Sequence, residues 1–539
     1  MLQRIIGFLL VLSCLNACKT TPSNETGLLQ TDTDNGSELY ELFKEHSAAR
    51  SDSMRSQIEA KLFGRVHELQ QTSVLKQAIL GLFAIMESKG NVTLLKEMPA
   101  GSKQDLAAQL SEALLAERAK RKAGSGYKGW EAYSKDLLSR ANINVPSGNP
   151  WESDAFLNAL QGLSKTKFYS YDSANVLASG PQSFSKRDEL MDDAQDRIWI
   201  LSWAFYDDFT GNEAADRLIK LKNKNANLDI RVVVDGMTGL RSFSKGVLAK
   251  MRNAGIEVML WRSKSQPFNG MHRKFMVIDN KHVLGGGMNF GNEYSHRGVS
   301  DSKHKWKDTD MYIQSAGMTS AAAEIFSKSW NKYVSDFPDS ELTKVKAESA
   351  TSSSASTGVM LVDHDPSVDM SDPIYTLTLA AINGAKKNVL VSNAYYIATP
   401  AIETALVNAA KRGVEVVLHT NSKDSVDVPQ LIRPIYRGLP NLANAGVKLY
   451  LHSGTTVHSK YMVIDEQFGW VGSYNFHPRS FLYESESVLA FVDSKLGQKL
   501  SNQFYKDLDD TIQVKDVSEV SLPDSTISDF AERFFFDQL

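Results

Sequence analysis

An internal duplication constrains the fold of this chain more than any other feature of its sequence. Three stretches of the first copy return in the same order in the second copy. They are 194–201 and 385–392, 254–260 and 445–451, and 271–279 and 457–465. In each copy, helical patterns alternate with short β-branched runs such as 230–234 and 414–418. That alternation predicts an α/β fold, in which two sheets covered by helices pack side by side as a pseudo-dimer.

The N-terminus has the pattern of an export signal. Arg4 precedes an apolar run over 5–12, which is too short to be a stable membrane span. The string Leu-Asn-Ala-Cys at 15–18 resembles a bacterial lipobox, in which cleavage before the cysteine is followed by its lipidation. An ordinary signal peptide cut nearby is the alternative. We expect a lipoprotein anchored through Cys18 in the cell envelope and facing the periplasm, on either the inner or the outer membrane.

Changes in composition divide the rest of the chain. Its 539 residues exceed the roughly 250–300 residues that one hydrophobic core organises. Residues 348–357 are almost wholly Ala, Ser and Thr, which is typical of a flexible connection. The predicted order is a signal peptide (1–17), a lipidated tether (18–37), a helical N-terminal region (38–145), repeat 1 (146–346), a Ser/Thr/Ala linker (347–358) and repeat 2 (359–539). The sequence does not identify a partner for the helical region.

Two strings of the form His-x-Lys-x4-Asp lie in the duplicated part, and an Asn follows each Asp by ten residues. One such string arises by chance in a few per cent of chains, but two at matching positions of a repeat indicate a site. The first string contains His272, Lys274, Asp279 and Asn289, and the second contains His458, Lys460, Asp465 and Asn475. We therefore expect the two strings to contribute equivalent side chains.

The spacing within each string predicts a hairpin. A two-residue turn at 280–281 would fold the chain back so that Asn289 lies opposite His272. In the same register Lys274 would face Gly287, and Lys460 would face Ser473. Because side chains alternate along a strand, Asp279 would point away from His272. We interpret both aspartates as organisers of their hairpins more than as proton carriers.

A His, a Lys and an Asn that converge beside small residues form an anion site. Lysine supplies a full positive charge, and the other two supply directed donors. Two such sets would place two imidazoles about one phosphate, which suits transfer through a covalent phosphohistidine. The spacing is symmetric and does not say which imidazole attacks. Neither string has the spacing of zinc ligands, so we expect no metal and no cofactor.

The two strings resemble the duplicated HKD signature of the phospholipase D superfamily over roughly 171–507. Within it, the chain is most similar to bacterial cardiolipin synthase-like proteins, on the strength of Gly286–Phe290, Trp306–Asp308 and Arg479–Ser480. The resemblance implies a duplicated α/β sandwich with one shared site. It also implies that carboxylates, Glu486 and the candidate Asp308, bond the active-site histidines. Gly287 departs from the usual serine and removes one hydroxyl donor.

What the resemblance implies about function is a phosphatidyltransferase or phospholipase D that acts on membrane phospholipids. The branch favours joining two phosphatidylglycerol molecules into cardiolipin and glycerol, with His272 as the nucleophile and His458 as the acid and then the base. Alternatives are a nuclease of the same superfamily and a non-enzymatic lipoprotein scaffold. The formal charge of −3, which becomes more negative without Arg4, disfavours nucleic acid. Whether water, glycerol or a lipid headgroup is the acceptor stays open.

Aromatic residues cluster after corresponding strands of the two copies. They could line a pocket for acyl chains or a headgroup, although such residues more often belong to the core. The set is Trp203, Phe205, Tyr206, Tyr395 and Tyr396.

Overall fold

The computed structural model describes residues 126–522, apart from 237, 240–241, 265–268, 339 and 352–354, together with eight isolated positions between 76 and 111. The chain divides into two compact units, one of residues 1–134 with 521–539 and the other of residues 135–520. The signal peptide, the tether and most of the predicted helical N-terminal region lie outside the described residues. Within the described part, no helix is both long and apolar enough to span a bilayer.

Helices and strands alternate through the first copy. Its elements are α1 (Gly126–Arg140), α2 (Asp154–Ser164), β1 (Ser173–Leu177), α3 (Gly180–Asp193), β2 (Arg197–Ser202), α4 (Phe209–Lys224), β3 (Asp229–Asp235), α5 (Ser242–Asn253), β4 (Glu257–Trp261), β5 (Gly270–Met271), β6 (Phe275–Ile278), β7 (His282–Gly286), α6 (Asn292–Ser295), β8 (Asp310–Gln314) and α7 (Ala316–Asp336).

The second copy repeats this order with small additions. Its elements are β9 (Gly358–His364), α8 (Pro373–Gly384), β10 (Asn388–Asn393), α9 (Pro400–Lys411), β11 (Glu415–Asn421), α10 (Ile432–Asn444), β12 (Lys448–His452), β13 (Lys460–Ile464), β14 (Phe468–Gly472), α11 (Pro478–Leu482), β15 (Glu484–Val492), α12 (Ser494–Asp507) and β16 (Thr511–Gln513).

The two sheets have the same topology, which confirms the predicted duplicated α/β fold. Among the described residues, the first sheet has the order β1-β8-β7-β6-β2-β3-β4. The second has the corresponding order β9-β15-β14-β13-β10-β11-β12, with β16 added beside β12. In each sheet three strands are parallel, and the strand that follows the histidine is antiparallel to the first of them. Strand β5 leaves the first copy and pairs with β15 of the second.

One hydrophobic core joins the copies. It takes residues from both sheets and from the two helices α7 and α12, as shown by Trp199, Phe326, Val463 and Phe504. A second cluster lies on the other face of the first sheet, where α3, α4 and α5 cover it. Because the inner faces of both sheets are buried in a common core, the two copies are held as one sandwich.

The hairpin register differs by one residue from the prediction. Phe275 pairs with Gly285 and Ile278 with His282, so the turn contains three residues, 279–281. The second copy has the same three-residue turn at 465–467. Lys274 therefore lies opposite Gly286, not Gly287, and its carbonyl accepts from the Gly286 amide at 3.1 Å. The predicted two-residue turn was wrong because the aspartate itself belongs to the turn.

Both motif aspartates adopt left-handed backbone and bind a neighbouring strand. Asp279 has φ 51° and Asp465 has φ 55°, a region that Asp tolerates better than most residues. The Asp279 carboxylate accepts from the backbone amides of 195, 196 and 197 at 2.8–3.2 Å. The Asp465 carboxylate accepts from those of 386, 387 and 388 at 2.7–3.0 Å. Each carboxylate thus fastens its hairpin to the start of the neighbouring strand, which is β2 in the first copy and β10 in the second.

Residues that precede the first sheet pack on the second copy. Trp151 stacks on Phe468 with ring centroids 5.2 Å apart, and its Nε1 donates to Asp465 at 3.0 Å. A Cβ on Gly384 of α8 would lie 2.6 Å from the ring of Phe156 on α2. The linker is also fastened, since the amide of Ala355 donates to the Phe168 carbonyl at 2.8 Å.

We predict that Asp279→Ala lowers the free energy of unfolding by about 2 kcal/mol, because several backbone amides lose a charged acceptor. Urea denaturation followed by circular dichroism measures the change. Asp196→Ala, which removes an exposed carboxylate from the same segment, serves as the control and should alter stability by less than about 0.5 kcal/mol. Equal stability of the Asp279→Ala and parent proteins would contradict the structural role.

Candidate active site

The two motif histidines are held by the backbone of the opposite copy. The His272 amide donates to the Ser485 carbonyl at 2.9 Å, where β5 runs beside β15. The His458 amide donates to the Lys307 carbonyl at 2.7 Å, next to an isolated bridge between 307 and 457. In both cases the acceptor is the residue just before a carboxylate. Each copy thus places a short segment beside the motif histidine of the other copy, and this arrangement is the exchange between the copies.

The side chains cross between the copies in the same way. His272 Nδ1 lies 2.9 and 3.0 Å from the two oxygens of Glu486, 214 residues further along the chain. His458 Nδ1 lies 2.7 Å from Asp308 Oδ2, 150 residues earlier. A carboxylate at Nδ1 fixes the tautomer of the ring and leaves Nε2 available for chemistry. Both carboxylates were expected from the resemblance, but their pairing with the histidine of the other copy was not.

The motif lysines lie beside the histidines. Lys274 Nζ donates to the His272 carbonyl at 2.7 Å. Lys460 Nζ donates to the His458 carbonyl and also lies 2.9 Å from His458 Nδ1. Burial lowers the pKa of His272, and both lysines and His458 lower it further, so the two sets of side chains act on each other across one site.

Burial sets the protonation of this cluster. It lowers the pKa of Lys274 to about 7 and that of Lys460 to about 8, since the ammonium form loses its hydration. Burial, reinforced by the ammonium groups, lowers the pKa of both imidazoles well below the ordinary value. It raises the pKa of Asp308 to about 6 and also raises that of Glu486. A bound anion would restore the solvation that these lysines lack.

The two carboxylates have different supports. Glu486 accepts from the hydroxyls of Ser473 and of Ser480, the latter at 2.5 Å. Asp308 accepts from the Thr309 amide at 2.7 Å. A Cβ at Gly287 would lie 2.1 Å from Asp308 Oδ1, so glycine at this position makes room for the carboxylate. The serine hydroxyl that the first copy lacks serves the carboxylate in the second.

The two motif asparagines occupy buried positions beside the loops after β2 and β10. Asn289 Oδ1 accepts from the Ala204 amide at 3.2 Å, and its Nδ2 donates to the Tyr294 hydroxyl at 2.9 Å. Asn475 Oδ1 is buried and has no hydrogen-bond partner among the described residues. With the register displaced by one residue, Asn289 does not lie opposite His272, contrary to the prediction.

Aromatic rings surround the histidines unequally. Trp203 meets His272 edge to face at 6.1 Å between centroids. Around His458 stand Tyr294 at 5.1 Å, Trp306 at 5.4 Å and Tyr395 at 6.2 Å. Of the other aromatic residues considered from sequence, Phe205 and Tyr396 are core residues, each fully buried, and Tyr206 stacks on Phe243.

Glu484 is a further candidate site residue, not expected from the sequence. Its carboxylate lies 3.9 Å from His272 Nδ1 and accepts from Arg479 Nε at 3.2 Å. Burial would raise its pKa, but His272 and Arg479 outweigh that effect and lower the pKa below the ordinary value. The signal was present in the sequence, because residues two apart on a strand share a face, and Glu486 was already assigned to the site.

Donor atoms of His272, Glu484 and Glu486 lie within 4.8 Å of one another, close enough to surround a cation. The charges nearby disfavour that role, because Lys274 and Lys460 both interact with these carboxylates. Both oxygens of Glu486 also accept serine hydroxyls already. The arrangement is therefore suited to an anion approached by ammonium groups and imidazoles.

Comparisons with known proteins agree with this geometry. The chain matches the family described as "Cardiolipin synthase, PLD-like domain" over residues 188–330 and 378–508, which include both motifs. It is 26% identical over 362 residues to cardiolipin synthase 1 of Bacillus anthracis, covering 63% of this chain and 67% of that protein. It is 26% identical over 396 residues to cardiolipin synthase 2 of the same organism, covering 72% and 73%.

A solved structure has the same fold. The phosphatidylserine synthase of Haemophilus influenzae Rd KW20 superimposes with a TM-score of 0.54 at 16% identity, over 67% of this chain and 92% of that one. The topology, the crossed motifs and the extent of the match therefore lead to one conclusion: this chain belongs to the phospholipase D-like family of cardiolipin synthases.

Proposed function

We propose that this protein is a phosphatidyltransferase that forms cardiolipin and glycerol from two molecules of phosphatidylglycerol. The observation that carries the proposal is the pair of crossed His–carboxylate contacts with a buried lysine beside each histidine. Two imidazoles that each contact a carboxylate through Nδ1, next to two ammonium groups, match the needs of a phosphodiester that is attacked on one side and protonated on the other. The similarity to cardiolipin synthases supports the choice of lipid.

In the first step, the Nε2 lone pair of His272 attacks phosphorus while the bond to the glycerol headgroup breaks. His458 gives its Nε2 proton to the departing alkoxide, so that glycerol leaves as a neutral alcohol. The His272 ring keeps its Nδ1 hydrogen, which faces Glu486. It becomes a phosphorylated imidazolium, and the carboxylate offsets its charge.

In the second step, His458 is neutral and takes the proton from the acceptor hydroxyl. The acceptor is the headgroup of a second phosphatidylglycerol. Its oxygen forms the new bond to phosphorus as the bond to His272 breaks, which regenerates both histidines. Lys274 and Lys460 stabilise the negative charge that develops on the phosphoryl oxygens, as preorganised cations do in a site with little water.

We also propose the domain order predicted from the sequence, with the mature protein tethered through Cys18 to a membrane of the cell envelope and facing the periplasm. A tether of this kind would place the site within reach of lipid headgroups. Stable membrane anchoring usually takes two membrane-binding groups. The diacylglyceryl group proposed on Cys18 would supply two acyl chains.

The proposed reaction predicts defined products. Purified protein incubated with phosphatidylglycerol vesicles should yield cardiolipin and glycerol in equal amounts, measured by lipid mass spectrometry and a coupled glycerol assay. Phosphatidic acid in place of cardiolipin would identify water as the acceptor. Cleavage of DNA without conversion of lipid would support the nuclease alternative.

Lys274→Ala should reduce kcat by about 10²–10³, as expected for loss of a charge-stabilising donor.

The pKa values of the lysines predict an alkaline limit. Each lysine is active as the ammonium, so kcat/KM should fall as pH rises through about 7 to 8, where Lys274 and Lys460 lose their protons in the free enzyme. A bound phosphodiester favours the charged form, so the corresponding fall in kcat should occur at higher pH. Rates measured between pH 5.5 and 9.5 provide the test. A kcat/KM that stays level to pH 9.5 would contradict the role of the lysines.

The anchor predicts a covalent modification. Wild-type protein from a bacterial membrane fraction should begin at Cys18 and carry a diacylglyceryl group, detected by mass spectrometry of the N-terminal peptide. Cys18→Ala should lose the modification and retain residues 1–17. An unmodified N-terminus in the wild-type protein would exclude the tether.

A further inference from the structure

The pseudo-symmetry of the site breaks beside the carboxylates. The backbone amide of each histidine donates to the carbonyl of the middle residue in a stretch of three. That residue is Ser485 (484–486) for His272 and Lys307 (306–308) for His458. The residues on either side of that acceptor share one face and point toward the histidine. Glu486 and Asp308 are equivalent in this frame. Glu484 therefore corresponds to Trp306, so that a carboxylate beside one histidine has an aromatic ring as its counterpart beside the other.

His272 is set among negative groups on its Nδ1 side. Glu486 contacts Nδ1 at 2.9 Å, and the second carboxylate, Glu484, lies 3.9 Å away. The side chain of Glu484 is 13% exposed, and Arg479 holds one of its oxygens. Lys274 donates to the His272 carbonyl at 2.7 Å, and Lys460 likewise donates to the His458 carbonyl. Two carboxylates therefore stabilise a positive charge on the His272 ring.

His458 has one carboxylate and one ammonium close to the same atom. Asp308 contacts Nδ1 at 2.7 Å, but the ammonium of Lys460 lies 2.9 Å from the same nitrogen. The indole of Trp306 stacks on the ring at 5.4 Å with an angle of 26°. An ammonium at hydrogen-bond distance opposes a lasting positive charge on this ring.

This difference bears on which histidine forms the covalent intermediate. An imidazole phosphorylated on Nε2 that keeps its Nδ1 hydrogen carries a positive charge, whereas the acid–base histidine is neutral in the intermediate. We propose that Glu484 is a positioning residue that stabilises the cationic phosphorylated ring on His272 and so assigns the nucleophile to the first motif. The inference rests on the proposed function and deepens it.

Each atom in this step is accounted for. The lone pair of His272 Nε2 forms the bond to phosphorus, the phosphorus–oxygen bond to the alcohol breaks, and the His458 proton leaves with the alcohol. The Nδ1 hydrogen stays on His272 and faces Glu486 and Glu484. The charged groups that act on this ring are Glu484, Glu486, Lys274, Lys460, His458 and His477, and Arg479 acts on Glu484.

The test compares Glu484→Gln with Glu484→Asp in the full-length protein. The probe is a phosphatidyl ester of p-nitrophenol, whose release gives a burst as the phosphoenzyme forms. Glu484→Gln should slow the burst about tenfold and move its acid limit to lower pH by about one unit, because His272 loses a carboxylate that favours its charged form. Glu484→Asp should recover part of both effects. Glu415→Gln, which removes a surface carboxylate paired with Lys448, should change neither.

Peptide mass spectrometry at alkaline pH locates the adduct, since a phosphoramidate survives there. We expect it on His272 in the wild type and in reduced yield in Glu484→Gln, with an unchanged melting temperature. An adduct on His458, or an unaltered burst and acid limit in a folded Glu484→Gln protein, would overturn the proposal. If Glu484→Gln does not fold, a burst in Glu484→Asp equal to that of the wild type would also overturn it.

Two outcomes separate this inference from the proposed function. Lipid transfer by wild type without an adduct on either histidine would remove the covalent intermediate and the role of Glu484 with it, but not the phosphatidyltransferase. Loss of the burst in EDTA, restored by a divalent cation, would make Glu484 a metal ligand and would overturn the inference.

Discussion

The contact of each histidine with a carboxylate of the other copy is the interaction on which the site depends. Neither copy contains a complete set, because His272 needs Glu486 and His458 needs Asp308. Backbone bonds from the histidine amides to Ser485 and Lys307 hold the same strands together. The two sheets must therefore pack in one arrangement for either imidazole to be oriented. The shared core of α7 and α12 provides that arrangement at a distance from the chemistry.

Burial gives the cluster its chemical character. In water the two lysines would be stably charged, and their attraction for a phosphodiester would be weak. Within the sandwich their pKa values fall to about 7 and about 8, so an anion that enters the site gains strong partners and restores their charge. The carboxylates tie up the Nδ1 atoms, which leaves the Nε2 atoms for reaction. Anion binding and acid–base chemistry thus depend on the same loss of solvent.

Duplication makes the two halves alike, and a few substitutions make them different. Ser473 donates a hydrogen bond to Glu486, whereas the matching Gly287 has no side chain and leaves room for Asp308. Trp306 and Glu484 occupy corresponding places, but only Glu484 brings a negative charge to its histidine. Such a difference suits a reaction in which one histidine is the nucleophile and the other is the acid.

The sequence by itself determined the duplication, the α/β class and the repeated histidines and lysines, since local periodicity and repeated spacing encode these features. The two carboxylates were expected only from the resemblance to the phospholipase D superfamily. Tertiary structure decided the three-residue turns, because the left-handed conformation of Asp279 and Asp465 is stabilised by amides of a strand about 80 residues away. It also decided the exchange between copies and the place of Glu484. Periodicity states which face a side chain occupies, but it does not state which strand of the other copy that face meets.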